Sequence, residues 1–257
     1  MRSRVINSLA LITCFVMAIF VLVGCNKADK DGYYDNAFMT SLEKGLVARW
    51  RISDKEDSKS SYKKAVQAEL DSVEEYQDKK FKNTQLKAAV LDYINSLKEQ
   101  KSALKYWGAD DFDEKWDAAY DKRTSALVAI NKIHKIKVSE KQDNLSELLG
   151  NGKSVNEKEN LKKKIDSMLA KAKVEKDDSE DLDGEYVNIV IKNTTGKDYS
   201  FLTATVKFKD KDGVVVDSQD VTAEGLADGE TTKLRPYVET KDWETCQLIL
   251  NSYELKK

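Results

Sequence analysis

Three cysteines, one histidine and 45 carboxylates are the side chains from which nucleophilic, metal or acid–base chemistry could be built in this 257-residue sequence. The histidine, His134, lies among lysines near the end of a helical pattern. A cation beside the negative helix terminus is its structural role there, and without a partner pattern a Ser/His/Asp or Cys/His arrangement has little support. Glu74 and Glu75 are a carboxylate pair, but adjacent helical residues point apart, which separates them for acid–base work. Asp210-Lys211-Asp212-Gly213 begins like a calcium loop yet lacks the further oxygen ligands and the closing Glu of an EF-hand, so a hairpin turn is the expectation. The aromatic residues Trp50, Tyr62, Tyr76, Tyr93, Trp107, Trp116 and Tyr120 would suit a sugar or peptide groove. Their helical spacing also assigns them to a bundle core. Cys14, Cys25 and Cys246 form neither a disulfide framework nor a zinc cluster, and no motif implies a cofactor or a metal site.

Cys25 is the exception, because its surroundings specify a reaction. Arg2 and Arg4 supply a positive start, Leu9 to Val23 an apolar core, and Leu22-Val23-Gly24 a narrow approach to a cut, the three-part build of an export signal. A stop-transfer helix of about 20 apolar residues is the competing reading. Asn7, Ser8 and Thr13 shorten the apolar run, and a stop-transfer helix needs no small residues before Cys25. Leu22-Val23-Gly24-Cys25 resembles the lipobox of bacterial lipoproteins. That resemblance implies cleavage between Gly24 and Cys25, diacylglycerol on the Cys25 sulfur, and a body held at the outer face of the cell membrane. Each buried CH₂ of such a lipid contributes about 0.8 kcal/mol. The discarded tail "AIFVLVG" (18–24) also resembles short apolar peptides that some Gram-positive cocci cut from lipoprotein signals and use as mating pheromones.

Removing residues 1–24 leaves 41 basic and 45 acidic side chains, a net charge of −4. That balance argues against a nucleic-acid partner, which calls for a basic surface. Residues 38–174 hold 28 basic and 23 acidic side chains, so the excess positive charge lies in the first part of the mature chain. Near a surface, each lysine or arginine adds up to about 1 kcal/mol toward anionic lipid, and a wall polymer offers a similar charge.

Apolar residues recur every three or four positions from Phe38 to about Val174, which predicts a helical bundle over 38–174 behind a short tether, 25–37. Phe38, Leu42, Leu46 and Trp50 form one stripe; Tyr62, Val66, Leu70, Val73 and Tyr76 a second. Leu86, Val90, Tyr93, Leu97, Leu104 and Trp107 follow a heptad interrupted by Gln100. Phe112, Trp116, Tyr120, Arg123, Leu127 and Ile130 make a fourth face. "SDKEDS" (53–58) and "GADD" (108–111) separate helices. A short helix is expected from Ser139 to Leu149, stopped by Gly150, and another behind a Ser154/Glu157 capping box.

"EKDDSEDLD" (175–183) reads as a solvated acidic linker. Beyond Gly184 the period drops to two: Val187, Ile189 and Ile191; Leu202, Ala204, Val206 and Phe208; Cys246, Leu248 and Leu250. "NTTGKD", "KDKDG" and "LADGE" punctuate these runs as turns. The stretch "IKNTTGKDYSFLTATVKFKDKDGVVVDS", with Asn193, Asp210 and Gly213, and the later Gly229-Glu230, resembles the FxLYD domain of Gram-positive lipoproteins. Val206-Lys207-Phe208-Lys209-Asp210 stands where F-x-L-Y-D would be, and only its Asp matches. The resemblance covers 185 to about 255 and implies an Ig-like β-sandwich on a helical, lipid-anchored stem. The expected architecture is therefore α+β in two domains, an N-terminal helical bundle and a small antiparallel Ig-like β-sandwich over 184–257. The expected function is a non-catalytic interaction module with a protein or wall-polymer partner, the alternative being an envelope-associated enzyme.

Overall fold

A computed structural model of the chain describes residues 28–56, 58–177 and 184–256. The signal, lipobox and pheromone readings, and residues 178–183 of the acidic segment, lie outside the described residues. The fold is α+β, five helices followed by antiparallel sheets. It divides into two compact units between Leu145 and Ser146.

The first unit contains α1 (Asp35–Ser53), α2 (Lys59–Val73), α3 (Thr84–Ala103) and α4 (Phe112–Ile133). The gaps fall where the apolar period breaks. Ser58 caps α2 by accepting from Ser61 N at 3.2 Å, and Asn83 caps α3 by accepting from Leu86 N at 3.0 Å. The middle of each stripe is buried: Phe38, Leu42 and Leu46 of α1 meet solvent nowhere, nor do Val66, Val90, Leu97, Leu127 or Ile130, while the aromatic residues Tyr62, Trp107, Phe112, Trp116 and Tyr120 are half-buried. Tyr34 N donates to Lys80 O, and Asp29 Oδ2 accepts from Asn36 N and Nδ2, so the folded body already includes part of the expected tether, 25–37. Gly45 sits where α1 crosses α2. A Cβ there would lie 3.1 Å from Glu69 O and Ser72 Cβ, so the missing side chain lets the two helices approach at Glu69.

Three expectations about 139–183 need correction. Residues Gln142–Leu169 form one 28-residue helix, α5, in place of two. Gly150 does not stop it: glycine in a helix costs about 1 kcal/mol, which a long helix absorbs, and no neighbour crowds this position. The end of α5 belongs to the second unit, where Ile165, Met168 and Leu169 are buried in its core, so the division between units falls well before the expected end of the bundle at Val174. Lys173–Lys176 is a strand, β1, and two of its residues lie inside the stretch read as linker.

The second unit has two antiparallel sheets. In one, β2 (Glu185–Lys192) pairs with β1, β5 (Thr231–Leu234) and β6 (Tyr237–Val238). In the other, β3 (Tyr199–Lys209) lies between β4 (Val215–Glu224) and β7 (Thr245–Leu255). The period-2 residues expected to point inward do so. Val187, Ile189 and Ile191 from β2 share one apolar cluster with Leu202, Ala204, Val206 and Phe208 from β3. Cys246 pairs with Phe208, and Cys246, Leu248 and Leu250 pack against that cluster, half-buried. The ladder shifts register between Thr203 and Ala204, after which Tyr253 and Leu255 take over the inward face.

Candidate functional site

Of the residues singled out for chemistry, Leu22, Val23, Gly24 and Cys25 lie outside the described residues. The others are kept apart. His134 is the C-terminal cap of α4, its N–H donating to Ile130 O. Glu74 and Glu75 turn to different lysines, Lys98 at 3.2 Å and Lys79 at 3.6 Å. Asp210 closes the β3–β4 hairpin: its Oδ1 accepts from Asp212 N and Val214 N, both at 2.9 Å, and Gly213 takes φ +80°. That φ is the left-handed region glycine enters without steric cost. The aromatic residues divide into two groups. Trp50, Tyr76 and Tyr93 are core, whereas Tyr120 is half-buried and Tyr62, Trp107 and Trp116 form, with Phe112, a half-buried cluster with ring centroids 4.9–5.9 Å apart. Among the described residues, no group of three or more His, Cys, Asp or Glu could hold a metal ion, and no helix is long and apolar enough to cross a membrane.

The structure assembles a charged cluster that the sequence did not reveal. Glu69 on α2 is fully buried and accepts from Arg49 Nη1 of α1 at 2.8 Å, from Arg123 Nε and Nη2 of α4 at 2.9 and 2.7 Å, and from the Tyr93 hydroxyl of α3. Arg49 Nη1 also donates to Gln100 Oε1 at 2.9 Å, while Gln100 Nε2 has no partner among the described residues. One carboxylate thus ties all four helices of the first unit. Burial alone would raise the Glu69 pKa, but the charges of Arg123 and Arg49 and the hydrogen bonds from Tyr93 and Arg123 outweigh it and hold the carboxyl below its ordinary value. Burial lowers the Arg49 pKa, and the neighbouring Arg123 charge adds to this. Burial and the Glu69 charge push the Tyr93 phenol well up, so it remains a donor. These groups are enclosed and committed to one another. Their chemistry is structural: two guanidinium charges face one carboxylate, and the net charge of the cluster is positive. Its signals in the sequence were polar intrusions into apolar stripes, Gln100 in the third and Arg123 in the fourth.

An open groove of about 620 Å³ lies between α2 and α3 of the same unit. Lys59 and Lys63 line one wall, Lys98, Lys101 and Lys105 the other, with Leu70, Ser102 and Leu104 between them. Lys59 and Lys63 are one helical turn apart, as are Lys98 and Lys101, so each wall presents a row of ammonium groups. Glu74 is the groove's one acid, and it is paired with Lys98. No ion pair joins Lys59, Lys63, Lys101 or Lys105 to a described carboxylate. The second unit has its own buried carboxylate, Glu185, which accepts from Trp243 Nε1 at 2.6 Å and lies 2.9 Å from Lys176 Nζ; Lys176 also stacks over the Trp243 ring.

No family model and no curated protein matches the chain. Among solved structures, IrmA from Escherichia coli is 18% identical over 33% of this chain and 82% of its own, with a TM-score of 0.27. The Pseudomonas fluorescens alkylpurine DNA glycosylase AlkC, bound to DNA containing an abasic site analog, is 10% identical over 85% of this chain and 79% of its own, with a TM-score of 0.22. At these scores neither likeness bears on fold or function.

Proposed function

We propose that the chain is a lipoprotein held by diacylglycerol on Cys25 at the outer face of the cell membrane, where its helical unit acts as a non-catalytic binding module. The observation that carries this reading is the contrast between the unit's two charge clusters. Glu69, Arg49 and Arg123 are sealed in the core and bonded to one another, whereas four lysines without a carboxylate partner among the described residues converge on an open groove. A second feature supports the membrane-proximal position. Residues 26–28 alone separate Cys25 from Asp29, which is hydrogen-bonded to the start of α1, and four peptide steps reach at most about 14 Å in any conformation. On this reading the second unit is an Ig-like β-sandwich of the FxLYD type. Its two sheets, sharing one core, and the Asn193, Asp210 and Gly213 turns are compatible with that fold.

The test has two arms. Labelled fatty acid is expected to enter the wild-type protein and not the Cys25→Ala variant, and labelling that survives the substitution would refute the anchor. A chain beginning at residue 26 is expected to be retained on isolated cell envelopes in a saturable, salt-sensitive manner. Absence of retention would refute the binding module.

A further inference from the structure

We propose that the lysine groove between α2 and α3 binds a linear polyol-phosphate polymer, the charged groups of its phosphodiester backbone lying between the two lysine rows. This inference rests on the binding-module reading and names its ligand class. The charge is one-sided, since Glu74 is already neutralised by Lys98 at one end and Lys59, Lys63, Lys101 and Lys105 have no described carboxylate partner. The antiparallel run of α2 and α3 follows from two contacts: Glu74 meets Lys98, and Tyr62 packs against Trp107 at 5.2 Å between centroids. Lys59 and Lys63 therefore stand toward the same end as Lys105. Lys98 and Lys101 lie on α3 and Lys105 in the 3₁₀ turn Leu104–Tyr106 that follows it, so at about 1.5–2 Å per residue the three extend over about 10 Å, more than a single phosphate occupies.

Side-chain type narrows the ligand further. Lysine offers a point charge with rotatable donors, whereas arginine supplies a planar fork that grips one carboxylate or phosphate bidentately in a fixed geometry. The cationic side chains that line this groove are all lysines; Arg49 and Arg123 of the same unit are withdrawn into the core. A row of point charges suits charges repeated along a flexible chain. The recess also favours a chain over a bilayer, because a flat headgroup plane meets the rims of a groove and does not enter it.

The experiment titrates the chain beginning at residue 26 with poly(glycerol phosphate), read by calorimetry and by tryptophan fluorescence. Trp107 lies two residues from Lys105 and packs against Tyr62, beside Lys63. Four neutralised phosphates give a log–log salt slope near −2.8, which is an affinity loss of about 50-fold between 50 and 200 mM salt. Lys63→Gln or Lys101→Gln is expected to flatten that slope by about 0.7. The combined Lys59→Gln, Lys63→Gln, Lys101→Gln, Lys105→Gln variant is expected to lose binding while keeping the wild-type far-UV spectrum, since all four side chains are exposed. Binding unchanged in that variant, or absent in the wild type, would overturn the proposal. So would tighter binding to phosphatidylglycerol vesicles, to a single-stranded oligonucleotide of equal phosphate number, or to polyglutamate. If envelopes retain the wild type and not the variant while the polymer is not bound, the ligand class fails and the binding module stands. If envelopes do not retain the wild type, the module itself fails.

Discussion

Replacing Glu69 with alanine removes the one carboxylate that joins α1, α2, α3 and α4. Arg49 and Arg123 would be left as two guanidinium groups with side-chain exposures of 10% and 1%, facing each other without a counter-charge. Breaking a buried ion pair by deleting one partner costs about 3–5 kcal/mol. The Tyr93 hydroxyl loses its acceptor as well, which adds about 1–3 kcal/mol if nothing replaces it. A domain of this size is stable by about 5–15 kcal/mol, so the substitution removes a large fraction of the total. Urea denaturation followed by circular dichroism at 222 nm reports mainly on the helices. With a slope of about 2 kcal/mol/M, a loss of about 4 kcal/mol lowers the midpoint by about 2 M. Removing Arg49, Glu69 and Arg123 together for apolar residues of similar volume is expected to recover much of the loss, because the penalty lies in stranded charge rather than in lost attraction. A Glu69→Ala midpoint equal to the wild-type value would refute the account.

The same cluster sets a pH dependence. The folded pKa of Glu69 is depressed, so its contribution is present above the unfolded value of about 4.3 and is lost as pH falls through the folded one. Urea midpoints measured on acidification should fall less steeply in Glu69→Gln than in wild type. In the second unit Asn193 is fully buried; its Nδ2 donates to Lys197 O and Leu226 O, and its Oδ1 accepts from the Thr195 N–H and hydroxyl. Asn193→Ala strands these partners and is expected to cost about 3 kcal/mol, seen as a lower thermal midpoint of the β unit. Burial pushes the Cys246 thiol up, keeping it protonated. A thiol reagent at neutral pH should react with the folded protein more slowly than with the unfolded one, and equal rates would place Cys246 on the outer face of β7.

Local periodicity determined much of this protein without the fold. The stripe from Phe38 to Trp50 and the breaks at "SDKEDS" and "GADD" locate α1, the start of α2 and the start of α4, because a helix must bury one face and end where that face ends. Alternation likewise assigned Leu202, Ala204, Val206 and Phe208 to the core side of β3. A period states which face is buried, not what it is buried against. Arg123 and Gln100 sat at apolar positions as unexplained polar residues, and only the packing of four helices gathered them with Glu69, Arg49 and Tyr93 in one cluster whose bonds span 20–54 residues of sequence. The groove depends on the same step, since Lys59 and Lys101 are ordinary solvated lysines until α2 and α3 run side by side. The end of α5 and strand β1 escaped the sequence reading for a related reason. Ile165, Met168 and Leu169 carry the same helical signature whether they meet other helices or the sheets, and Lys173–Lys176 is too short and charged to be a strand until β2 supplies its hydrogen bonds.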